Sequence, residues 1–92
     1  MSKVIWKYPI KPVGETELEI PFNSVVLSAG VIGGACYIWV LLDPEETFII
    51  SKYVNSVETG QSFDSEEWDR FVGTLMLDNG LYIIHVLCRS VD

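Results

Sequence analysis

Two dipeptides, Gly33-Gly34 and Asn79-Gly80, each divide a long apolar stretch into halves. Both accept the positive φ of a two-residue hairpin loop, so residues 25–32 are expected to fold back on 35–42, and 71–78 on 81–89. A loop at 33–34 sets Val31 opposite Cys36, Ala29 opposite Ile38, Leu27 opposite Val40 and Val25 opposite Leu42. On the other side Gly30 meets Tyr37 and Ser28 meets Trp39, where aromatic rings can lie over backbone that carries little side chain. A loop at 79–80 pairs Met76 with Ile83, Thr74 with His85 and Val72 with Leu87. Its reverse face pairs Leu77 with Tyr82, Leu75 with Ile84, Gly73 with Val86 and Phe71 with Cys88.

These ribbons are apolar front and back, whereas an antiparallel sheet with one wet face alternates apolar with polar. The remaining strands are shorter or more polar. Residues 4–8 form a strand that meets Pro9, which places it at an edge. Glu15, Glu17 and Glu19 alternate with Thr16, Leu18 and Ile20, and residues 47–54 make a fifth strand. From 55 to 64 the period lapses. Asp64 or Ser65 then offers an N-cap, with Glu66 and Glu67 in the first turn, so a short helix is expected over 65–70. The expected fold is mainly β: one antiparallel β-sandwich or strongly bent sheet of about six to seven strands, with that one helix, in a single domain spanning residues 1–92. So short a chain has little left to cover the outer faces. A homo-oligomer, most simply a two-fold dimer, is therefore expected.

Hydrophobic residues make up 49% of the chain, enough for a packed core. Thirteen acidic residues against six basic ones give a net charge of −7, which disfavours generic binding to nucleic acid or anionic membranes. The local series of cations is Lys3, Lys7 and Lys11. Met1 is followed by no apolar leader, and no apolar run is long enough to span a bilayer, so the expected compartment is cytoplasmic. In that reducing setting Cys36 and Cys88, both inside apolar strand patterns, read as buried free thiols.

No constellation reads as an active site. His85, the sole histidine, has Thr74 as its nearest expected partner and no acid to orient it. Cys88 points to the opposite face of the same strand. The acidic groups at 15–19, 43–46 and 64–69 lack the alternating spacing of a calcium loop, and two cysteines with one histidine do not make a zinc site. The expectation is no catalytic residue, no metal and no cofactor. Trp6, Tyr8, Tyr37, Trp39 and Trp68 serve core or interface packing, with stacking on a planar ligand as the alternative.

The opening Lys3-Val4-Ile5-Trp6-Lys7-Tyr8-Pro9-Ile10 resembles the start of a family of small phage and prophage proteins that begin with an Ile-Trp-Lys-Tyr-Pro segment. The likeness continues through Ile20-Pro21, Cys36-Tyr37-Ile38-Trp39, Leu42-Asp43-Pro44, Thr59-Gly60, Phe71-Val72-Gly73-Thr74 and Ile84-His85-Val86. Gln61 departs from it, standing where a histidine is expected after Thr-Gly. The resemblance implies viral origin and action in the host cytoplasm, where small phage accessory proteins often antagonise defence. Together with the surplus apolar faces, it suggests a non-enzymatic counter-defence protein that sequesters a small nucleotide-type immune signal between subunits. Lys3, Lys7, Arg70 and Arg89 are the candidate phosphate contacts, and Tyr37 and Trp39 the candidate stacking rings. The alternative is an acidic module that inhibits a host protein, or a minor component of the virion.

Overall fold

The computed structural model describes residues 2–90 and shows seven antiparallel strands in two sheets. The strands are β1 (Val4–Ile10), β2 (Gly14–Pro21), β3 (Val25–Ile32), β4 (Ala35–Leu42), β5 (Ile49–Glu58), β6 (Arg70–Leu77) and β7 (Tyr82–Cys88). One sheet has the order β1-β4-β3 and the other β2-β5-β7-β6. Their inner faces close on one core that includes Ile10, Leu18, Ile20, Val26, Ile38, Val40, Leu42, Val54, Leu75 and Val86. β1 lies at an edge as its proline requires, but it continues through Pro9 to Ile10.

Both expected hairpins form, and each departs from its expected register at a β-bulge. In the first, Gly33 and Gly34 take φ of 57° and 82°, and the pairs from Ile32↔Ala35 to Ser28↔Trp39 match the two-residue loop. Leu27 is then bulged out, so Val26 rather than Leu27 opposes Val40, and Val25 opposes Leu41 rather than Leu42. Val26 thereby enters the core, fully buried, while Leu27 is exposed. In the second, the turn covers residues 78–81, with Asp78, Asn79 and Gly80 all at positive φ. Pairing runs as expected from Leu77↔Tyr82 to Gly73↔Val86; then Val72 bulges and Phe71 opposes Leu87 instead of Cys88.

β3 and β6, each bulged and each an edge strand of its own sheet, are in contact with one another. The Arg70 guanidinium donates to the Val26 carbonyl at 2.6 Å and lies 3.7 Å from Cys88 Sγ. A Cβ on Gly73 would stand 3.5 Å from that of Ala29, an ordinary contact. Bulges bend a strand and interrupt its ladder, so both edges are kept from open pairing.

β5 runs four residues beyond the expected end at Val54, and the helix expected over 65–70 does not form. Asp64 does cap the segment: its Oδ1 accepts from Glu66 N at 2.9 Å and Glu67 N at 3.3 Å, and Trp68 N donates to its carbonyl at 2.9 Å. One turn is all that fits. Trp68 must drop onto Val57 and Leu87, and Asp69 is held by Ser90, so no further residue repays the cost of nucleation. Trp68, 4% exposed, covers part of the outer face of the four-stranded sheet with the chain's own side chain. Among the described residues, no helix is long and apolar enough to cross a membrane.

Candidate functional site

The outer face of the three-stranded sheet is set by alternation along its strands. Ile5, Leu41 and Val25 form one row, Lys7, Trp39 and Ser28 the next, and Pro9, Tyr37 and Gly30 the third. The Trp39 ring does lie over Gly30, so closely that a Cβ there would stand 2.7 Å from Cζ3. The Lys7 ammonium sits 4.5 Å from the centre of the Tyr37 ring, a cation–π contact. β1, β3 and β4 contain no acidic residue at all, although the chain holds thirteen. The face is thus aromatic, apolar and free of carboxylates.

Of the expected ligand contacts, Lys7, Tyr37 and Trp39 are neighbours here. Lys3 is about 13 Å further along the extended chain, four residues at 3.3 Å each. It borders a separate small groove together with Phe22, Asp43 and Glu46. Arg70 lies between the two sheet edges, engaged with Val26 and Cys88. Arg89 lies on the other sheet, stacked over Trp68 and Tyr53 at 4.5 and 5.1 Å and bonded to Glu67 at 3.0 Å. Both arginines hold the fold together and stand apart from Lys7.

The outer face of the four-stranded sheet holds a concave feature that the sequence reading did not isolate. An open groove of about 300 Å³ runs between the 58–63 segment and β6, walled by Phe63 and Phe71 and floored by Val57, Leu87 and His85. The segment is fixed by its own bonds: Gln61 N donates to the Glu58 carbonyl at 3.0 Å, and Glu58 N donates back to Gln61 Oε1 at 3.1 Å. Gly60, with φ of 89°, closes that turn. Gln61 is therefore a loop clamp, a role that its departure from the family pattern did not suggest.

His85 has the expected Thr74 beside it, Oγ1 to Nδ1 at 3.1 Å. It also has Thr59, whose Oγ1 is 2.8 Å from Nε2. Thr59 N donates to the Ile83 carbonyl, which brings the loop down onto β7. Each ring nitrogen therefore faces a hydroxyl that can give or accept, and no carboxylate orients the ring. Cys36 and Cys88 are buried free thiols, and burial pushes the Cys36 thiol up from its ordinary value. Among the described residues, no three His, Cys, Asp or Glu side chains gather as metal ligands. Glu15, Glu17 and Glu19 form an exposed row on β2, an edge strand of the other sheet.

Residues 1–92 match the family described as a domain of unknown function, DUF7352, and the chain belongs to that family. No curated protein and no solved structure matches it.

Proposed function

We propose that this member of the DUF7352 family is a small phage-encoded accessory protein, non-enzymatic, that self-associates through the outer face of its three-stranded sheet. Between the paired faces it holds a nucleotide-type immune signal in the host cytoplasm and so counters defence. The observation that carries this reading is the carboxylate-free patch around Lys7, Tyr37 and Trp39 on a molecule of charge −7. Two such molecules repel one another at most approaches, and least through that patch. A flat sheet face gives one copy no cleft, whereas ligand sites are concave. Two copies face to face make a slot lined by aromatic rings, with one Lys7 from each to meet phosphate.

Sedimentation velocity with and without a panel of cyclic nucleotides tests this directly. A bound signal raises both the dimer fraction and the melting temperature, and Lys7→Glu abolishes both effects. If no nucleotide in the panel moves either quantity, the reading fails.

A second reading rests on the row of Glu15, Glu17 and Glu19, which exposes three carboxylates on one edge strand. There the chain is an acidic module that docks on a basic host protein, or a minor virion component. Pull-down of a host protein that is lost in high salt supports inhibition, and mass spectrometry of purified particles detects a virion part.

A further inference from the structure

We propose that the groove over His85 is a second ligand site, on the opposite side of the molecule from Lys7, and that it takes a planar, uncharged heteroaromatic ring such as a nucleobase. Four features fix that chemistry. First, Phe63 and Phe71 wall the groove at 44% and 60% exposure. The ring pair in contact among the described residues is Phe22 with Phe48, so the Phe63 and Phe71 rings are not stacked on each other and each can meet a flat guest.

Second, the Thr59-His85-Thr74 chain supplies a polar point that adapts. With Nε2 as acceptor, the Thr59 hydroxyl donates inward and offers its lone pairs to a ligand; with Nε2–H as donor, the same hydroxyl is free to donate outward. A neutral imidazole passes between these arrangements by reversing three hydrogens, with no movement of heavy atoms. A heteroaromatic edge that presents an acceptor beside a donor matches either one.

Third, the groove lining includes no lysine or arginine and does include the acidic Glu58. A phosphate there meets repulsion without a counter-charge, so the ring is bound as base or nucleoside. Fourth, Val57 and Leu87 in the apolar floor are held by Trp68, which packs on them from the same outer face. The floor therefore exists before the ligand arrives.

The test is NMR titration of the labelled full chain with adenosine and with adenosine monophosphate. Adenosine at millimolar concentration is expected to shift the His85, Phe63 and Phe71 resonances saturably, and the monophosphate to bind several-fold more weakly. Phe71→Leu removes one ring wall and weakens adenosine by about tenfold, within the range of single base–aromatic stacks. Thr59→Val keeps the shape, removes the hydroxyl and weakens it several-fold with an unchanged melting transition. Absence of any shift overturns the proposal. So does monophosphate binding as tight as adenosine, or shifts confined to Tyr37 and Trp39, which put the ligand on the other face. The outcome is independent of the nucleotide reading above, since neither Lys7→Glu nor self-association alters this groove.

Discussion

Replacing Trp68 with alanine removes the side chain that the 59–69 segment buries on the four-stranded sheet, and the size of the loss follows from what Trp68 covers. Its ring is 4% exposed and packs on Val57, Leu87 and Tyr53, with the Arg89 guanidinium 4.5 Å above it. An aromatic that buries roughly 150–250 Å², at about 25 cal/mol per Å², is worth at most about 4–6 kcal/mol. Truncation of a buried Trp to alanine costs about 3–5 kcal/mol, and the lost cation–π contact lies within that figure. Because this cluster lies outside the sandwich, water fills the gap and the structure is relieved of part of the cavity cost. We therefore expect a loss of about 3 kcal/mol, against a whole-domain stability of roughly 5–14 kcal/mol for a chain of this length. Urea unfolding followed by far-UV circular dichroism measures it, and the midpoint of thermal unfolding should fall by about 12–24 °C. Trp68→Phe should recover about half. A loss below about 1 kcal/mol for Trp68→Ala refutes the cap and leaves that sheet face in need of another cover.

Gly30→Ala places a Cβ 2.7 Å from the Trp39 ring, so the ring must swing outward; we expect about 1–2 kcal/mol of destabilisation in urea and a shifted Trp39 emission. Arg70→Leu leaves the Val26 carbonyl without its charged donor and should cost about 2 kcal/mol, read by the same unfolding curve, with no change in self-association. The Asp69 carboxyl is held below its usual range, chiefly by the Ser90 hydroxyl and then by the Ser90 amide. Its folded value is depressed, so the clasp on Ser90 is intact above the unfolded aspartate range and is lost as pH falls through the lowered folded value; a carboxyl-carbon NMR titration should find the Asp69 midpoint below that of an ordinary aspartate. Cys36 and Cys88 should resist a thiol reagent in the native protein and react together on unfolding, because both are buried and Cys36 keeps its proton.

Much of the sandwich was legible because its signals are local. Two turn dipeptides fix two hairpins, Pro9 marks an edge, and the glutamates of β2 mark an outward face. What escaped the residue pattern was non-local. A two-residue period carried past a bulge assigns every later side chain to the wrong face, and each hairpin here contains one. Both bulged strands, β3 and β6, meet at the edges of the two sheets, a contact that neither hairpin sequence shows. The helix was overestimated for a related reason. Asp64 is a genuine cap, but the burial of Trp68 and the start of β6 at Arg70 end the segment after one turn.

The same bulge decides how much of the groove could be foreseen. The Asn79-Gly80 register correctly set Thr74 beside His85, so half of the hydroxyl-imidazole chain was readable. Continued without interruption, that register sent Phe71 inward with Cys88. The extra residue at Val72 turns Phe71 outward, opposite Leu87, and makes it the groove wall. It also swings Arg70 inward, where its guanidinium bridges to Val26 instead of meeting a phosphate. Lifting Val72 out of the ladder thus gives the outer face its aromatic wall and withdraws a cation from solvent. Deleting Val72 tests this count of residues: Phe71 then follows Gly73 directly, so it stays opposite Leu87 as the groove wall, and Arg70 stays opposite Cys88. Loss of the NMR contacts between Phe71 and Leu87 in the deletion variant would show that the ladder register does not set the wall.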